Sequence, residues 1–292
     1  MSLREIEGGD LDLGDVLGPS SGIETRRRLS RSRRVAVGLA VPAVLLVIWS
    51  ILSATQVLSE QFLPAPGDLV RSARDFLFAP KRPPVPGVIR FKGGAAEHIG
   101  ASVRLWAVGY ALALCVGLPL GLGLGLSRWM AAAVDPLYQA FRSVPITAWL
   151  PIALVWFGLG QGAGRFLVFI GALSPIVVAT ADSTARVQRQ LVDTARMLGT
   201  APRDLARRVY LPAALPGIVT GLRLGLTLGW TTVIVAELTG VSQGLGAMML
   251  AAREVSSLDQ IIVGMVAFGV IGLAGDMLLR AIFRPLVRWA DA

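Results

Sequence analysis

The 292-residue sequence predicts an all-α membrane protein with six transmembrane helices and both termini in the cytoplasm. Three observations predict it. Apolar residues make up 54% of the chain and charged residues only 16%, against about 45–50% and about a quarter in an ordinary soluble domain. The apolar residues also cluster: residues 35–58 and 105–127 carry no charge at all, and each run is long enough to cross about 30 Å of hydrocarbon as a helix. Finally, the arginines fall in concentrated blocks beside the apolar runs, which sets orientation because such blocks stay on the cytoplasmic side. The formal net charge of +9 is therefore read as membrane-flanking charge, with no nucleic-acid partner. A single cysteine, Cys115, excludes an intrachain disulfide, and a single histidine, His98, excludes a histidine-only metal site.

Residues 1–34 form a polar segment, acidic at first and then basic at Arg26, Arg27, Arg28, Arg31, Arg33 and Arg34. That block holds the N-terminus inside. The first span, containing Pro42, leads out to residues 56–100, where six prolines from Pro64 to Pro86 preclude a continuous helix and leave room for a short one over 68–78. The second span, 101–127, returns inward. Its Gly117, Gly121 and Gly125 recur every four residues, so they share one face and allow a close helix contact. The third span lies within 133–157 and ends in a glycine-rich outer turn; Pro145 and Pro151 require it to bend or loosen. The fourth covers 166–181. An arginine-rich inner stretch follows, then a fifth span over 216–238, an outer segment at 240–257 and a sixth span over 258–283.

The inner stretch carries the strongest signal. It reads Asp193-Thr-Ala-Arg-Met-Leu-Gly199, then nine residues, then Val209-Tyr-Leu-Pro212. Asp193 to Leu198 favours a helix, Gly199 can end it in a turn, and Pro202 can start a second short helix. This pattern resembles the signature of the inner-membrane permeases of bacterial ABC importers: Glu-Ala-Ala, three residues, Gly, nine residues, Ile, one residue, Leu-Pro. Ala195, Gly199, Leu211 and Pro212 match in register, while Asp193, Thr194 and Val209 are substitutions. Further runs narrow the resemblance: Ser143-Val-Pro145, Ala148-Trp-Leu-Pro151, Trp156-Phe-Gly158, Leu211-Pro-Ala-Ala-Leu-Pro-Gly217, Val235-Ala-Glu237 and the outer Phe62-Leu-Pro-Ala-Pro66. They are similar to permeases for taurine, aliphatic sulfonates, nitrate and bicarbonate.

The resemblance implies a type I ABC importer permease. Residues 1–34 would be a cytoplasmic segment, 35–100 a first helix with a periplasmic segment, 101–283 the core transmembrane domain and 284–292 a cytoplasmic tail. Within the core, 186–212 would hold the coupling helix, with Asp193, Thr194, Ala195, Gly199, Arg203, Leu211 and Pro212 contacting a separate ATPase subunit. It further implies a permease homodimer in the inner membrane, surrounding lipids, a periplasmic or lipoprotein substrate-binding protein, and a small anionic solute. The chain itself has no Gly-x4-Gly-Lys-Ser/Thr sequence to cradle a nucleotide, so ATP and Mg are expected on the partner. No nucleophile–base pair points to catalysis.

Candidates for the translocation path are Ser143, Pro145, Trp149, Trp156, Thr231, Thr232 and Glu237. A carboxylate near a span end reads either as a gating group or as an interfacial acid paired with Arg253. Arg142 and Arg223 read as arginines reaching for headgroups, and Asp276 with Arg280 as a pair on one helix. The alternative is a stand-alone secondary transporter, which would need coupling-ion residues deep in the bilayer and often inverted repeats.

Overall fold

The computed structural model of the chain describes residues 31–55, 64–78, 94–238, 240–241 and 243–287. The expectations for residues 1–30, for the proline-rich loop around 79–93 and for the tail beyond 287 lie outside them. Every regular element among the described residues is helical.

Two units are separate bodies. The first contributes α1, Arg31–Ala54, an apolar helix interrupted in composition only by Pro42 and its leading arginines. The second begins with α2, Pro66–Phe78, an amphipathic helix that buries Phe76. It continues with α3, Ala95–Leu126; α4, Arg128–Arg142; a 3-10 turn, Ile146–Trp149; α5, Leu150–Phe157; and α6, Gln161–Ala185. Then come α7, Arg189–Met197; α8, Pro202–Leu205; α9, Leu211–Glu237; α10, Leu245–Glu254; and α11, Leu258–Val287.

Helix α6 is the centre of the core, and small residues explain why. On α3, Gly109 faces Val168, Gly117 faces Ile176, Gly121 faces Thr180 and Gly125 faces Thr184. A Cβ added at Gly121 would lie 2.7 Å from the Cβ of Thr180, so the backbones approach as closely as glycine allows. On α9 a second stripe, Gly217, Gly221, Gly225 and Gly229, meets Ser183, Ala179, Ile176 and Ala172. Between them Leu167, Val168, Ala172, Ile176 and Val177 are fully buried. Without a hydrophobic drive between helices in lipid, such close van der Waals contact is what holds spans together.

These contacts also settle direction. Residue numbers rise together along the α3–α6 contact and oppose each other along α6–α9, so α3 and α6 are parallel and α9 is antiparallel to both. The chain between α3 and α6 must therefore return to the side on which α3 began. Residues 128–157 make that crossing as a broken span: α4 and the pair of 3-10 turn and α5 meet at 90°. Pro145 begins the break, with the extended ψ of 141° that ends a helix. Among the described residues, four helices are long and apolar enough to cross a membrane, or five with this bent pair counted as one.

Several boundaries differ from expectation. The outer segment at 240–257 contains α10, because its N-terminus is capped by side chains distant in sequence. The fifth span begins earlier, as α8 runs through a π-helical turn, Ala206–Tyr210, directly into α9. Arg223, expected to reach for headgroups, instead bonds Asp276 on α11, Nε to Oδ1 at 2.9 Å. The expected Asp276–Arg280 pair is present at 2.8 Å.

Candidate functional site

Two surfaces carry the candidate residues, at opposite ends of the core. The first is the knob between α6 and α9. Helix α7 buries Val192, while Asp193 and Thr194 are exposed; Asp193 pairs with Arg196 at 3.7 Å. The helix ends in a Schellman turn: Thr200 N–H donates to Ala195 O at 3.1 Å, and Gly199 N–H donates to Arg196 O at 2.9 Å. Gly199 takes φ of +78° to make it, which a side chain would strain. The turn accounts for the spacing in the motif, since Ala195 accepts its outer bond and Gly199 donates its inner one. Its consequence is exposure. Met197 is 80% and Leu198 81% accessible, and a Cβ at Gly199 would meet nothing within 4 Å.

After the turn, Pro202 begins α8, and Leu205 anchors it to the core. Arg203 belongs to this helix, its side chain lying outside the described residues. Arg207 and Arg208 are exposed on the π turn, and Leu211 and Pro212 are exposed where α9 starts. The seven candidate residues thus fall on α7, its closing turn, α8 and the start of α9.

The second surface lies along the broken span and α9. Ser143, Pro145 and Trp156 are exposed, and Trp149 is half-buried. Both tryptophans meet Phe166 of α6 edge-on, at 6.3 Å and 5.7 Å, and Trp149 also packs on Phe141 at 4.8 Å. Trp149 therefore spans the break, packing on Phe141 of α4 on one side and on Phe166 of α6 on the other. Among the described residues, Trp149 Nε1 has no hydrogen-bond partner and is buried. On α9, Thr220, Thr227 and Thr231 form an exposed stripe with Leu224 and Leu228; each threonine hydroxyl donates back to its own helix four residues earlier. Thr232 is buried beside Gly171, where Ile146 of the 3-10 turn also packs.

Glu237 belongs with neither surface in terms of exposure. It is 0% accessible. Ser102 Oγ donates to its Oε1 at 2.6 Å, and Gly246 N–H donates to Oε2 at 2.6 Å. Leu245 N–H in turn donates to Ser102 Oγ at 2.9 Å, and His98 Nδ1 lies 2.9 Å from Gly244 O. The first N–H groups of α10 have no partner within their own helix. Glu237 and Ser102 supply them, clasping α10 to α9 and α3. Gly244 is required there because a Cβ would strike the Glu237 carboxyl.

Sequence reasoning missed Phe166, Ser102, Met197 and Leu198. The last two sit inside the motif's three unspecified positions, and their exposure follows only from the turn geometry. Among the described residues, no group of three or more histidine, cysteine or acidic side chains could hold a metal ion.

Comparison with known proteins agrees in one direction. The model of the family described as "Binding-protein-dependent transport system inner membrane component" matches residues 116–291. The taurine transport system permease protein TauC of Escherichia coli (strain K12) is 31% identical over 88% of this chain and 91% of its own length. The nitrate import permease protein NrtB of Leptolyngbya laminosa is 32% identical over 84% and 85%. Among solved structures, a chain of the MetNI methionine ABC transporter in an inward-facing conformation superposes with a TM-score of 0.51 at 22% identity, covering 62% of this chain and 92% of that one. The last similarity speaks to fold alone.

Proposed function

The chain belongs to the binding-protein-dependent transport system inner membrane component family, and from that premise we propose that it forms the translocation path of an ABC importer for a small anion and docks an ATPase through the α7–Gly199–α8 knob. As a member it is a multi-pass inner-membrane protein and a transport component, not an enzyme. The observation that carries the docking half is the exposure of Met197 and Leu198, at 80% and 81%, on the apex of a tightly closed turn. Two large apolar side chains held out by a structured turn are a surface shaped for a partner, since an isolated loop has no reason to order them. Asp193, Thr194, Ala195, Gly199, Arg203, Leu211 and Pro212 build or border that surface.

ATP and Mg would reside on the ATPase, and a substrate-binding protein would deliver the solute. Closing of two ATPases would draw two knobs together and bias the spans between inward- and outward-facing states. This requires a permease homodimer. The full arrangement would have α1 as the first of six spans and both termini cytoplasmic. Ser143, Pro145, Trp149, Trp156 and Thr231 would face the path, with Thr232 and Glu237 shaping it from behind. The taurine and nitrate permeases among the relatives support a sulfonate or similar oxyanion as cargo.

The test is uptake of radiolabelled taurine by proteoliposomes containing the chain with its ATPase and binding protein. Uptake should require enclosed or supplied ATP and survive a proton ionophore. Uptake that proceeds without ATP and collapses with the ionophore would instead indicate the secondary transporter.

A further inference from the structure

Of the four long candidate spans, α11 is the least enclosed: 17% of its most apolar window is buried, against 50% in α6 and 56% in α9. Its open side is a regular stripe. Val266, Val270, Leu273 and Met277 are each more than half exposed, and at the same spacing the stripe continues into Arg280 and then Arg284. Apolar surface thus gives way to cationic surface along a single helix face. From Leu258 to Arg280 the helix rises through 22 residue steps, or about 33 Å, so Arg280 falls at the far boundary of about 30 Å of hydrocarbon. That boundary is on the side of α7 and α8, because α11 runs antiparallel to α9: Trp230 meets Phe268, and Arg223 meets Asp276.

The charges there do not balance. Asp276 is a single carboxylate shared by two guanidiniums, Arg223 Nε at 2.9 Å and Arg280 Nε at 2.8 Å. Asp276 is 18% exposed and Arg223 34%, whereas Arg280 is 61% exposed and bonds Asp276 through Nε alone. A guanidinium carries five N–H donors, so the outward edge of Arg280 is preformed, held in place from behind, and unsatisfied. In a membrane an unmatched cationic edge is costly, and the group that relieves it at this depth is a phosphate. Basic pockets between spans at the cytoplasmic side are suited to such headgroups.

We propose that this face is a binding site for an anionic glycerophospholipid. Its phosphate would engage Arg280 and Arg284, with the Arg223–Asp276 pair orienting Arg280, and an acyl chain would lie along Met277 and Leu273. The site also links the lipid to α9, which bears the exposed threonine stripe, through the Arg223–Asp276 bond. Only the naming of the leaflet rests on the orientation proposed above; the chemistry of the site does not.

The experiment is native mass spectrometry of the full-length chain, purified in mild detergent and offered equal amounts of phosphatidylglycerol and phosphatidylcholine. The chain should retain phosphatidylglycerol in preference by on the order of tenfold. The Arg280→Gln/Arg284→Gln variant should bring the ratio near one, at an unchanged melting temperature, since Asp276 keeps Arg223. A control variant at exposed arginines of the knob, Arg186→Gln/Arg189→Gln, should keep the preference. Equal retention of the two lipids by the parent chain would overturn the proposal, and so would a preference that survives the double variant or is lost equally in the control. Full displacement of the lipid by inorganic phosphate would also overturn it, because that marks a bare ion site without the acyl contact. No ATPase is present in this assay, so a failure of knob docking leaves its readout untouched.

Discussion

At Gly199 the backbone turns with φ of +78° into open space, so the cost of a side chain there is conformational and local. Gly199→Ala should lower the stability of the folded chain by about 1 kcal/mol, read as a small drop in melting temperature in detergent. Glu237 poses the opposite case. It is enclosed, and its two oxygens satisfy Ser102 and the first turn of α10. Glu237→Ala should cost about 2–3 kcal/mol by leaving those donors unpaired in a dry site, while Glu237→Gln should recover part of it by accepting one of the two bonds. Proteolysis within α10 is the sensitive readout, because that helix loses its clasp. A Glu237→Ala chain whose α10 is as protected as the parent's would contradict the clasp.

Among elements, the α3–α6 contact is the most demanding. Added methyl groups at Gly121 and Gly125 would meet Thr180 and Thr184 at 2.7 Å and 2.6 Å. Gly121→Val should therefore wedge the parallel helices apart and destabilise by about 1–3 kcal/mol; Gly100→Val, where nothing lies within 4 Å, is the matched control that should not. The α3 stripe could be read from spacing alone, since every fourth residue shares a helix face. The two helices of the knob could be read as well, because Gly199 and Pro202 act on their own neighbours. Other elements were set by distant partners and left no local mark. Helix α10 was hidden because its cap comes from Ser102 and Glu237 rather than from a serine or aspartate in front of it. The pairing of Arg223 was hidden for the same reason: Asp276 is 53 positions away, and only its i, i+4 contact with Arg280 is visible along the chain. The proline pair announced a break in the third span, while the contact that bridges its 90° bend, Phe141 of α4 on Trp149, leaves no mark in the local sequence pattern.

For the whole molecule, the parallel course of α3 and α6 demands that the broken span cross, which puts the α5–α6 turn and the knob on opposite faces of the membrane. In a Cys115→Ala background, Leu159→Cys should react with an impermeant thiol reagent from outside intact cells, and Met197→Cys only after the inner face is opened. Both positions are about four-fifths exposed, so access is decided by sidedness. Labelling of both from the same side would refute the crossing.

The most direct test of the importer reading is co-purification of the tagged chain from its native membranes, with mass spectrometry of what accompanies it, in parallel with Gly199→Trp. The prediction is an ABC ATPase subunit at about one per permease with the parent chain. The Gly199→Trp chain should still fold, because the new side chain points into open space and the strained turn costs it about 1 kcal/mol, as for Gly199→Ala, yet it should be free of the ATPase because it occupies the docking apex. An ATPase recovered equally with both chains would remove the knob from the docking surface. A parent preparation with no ATPase, in mild detergent and with nucleotide present, would contradict the importer itself.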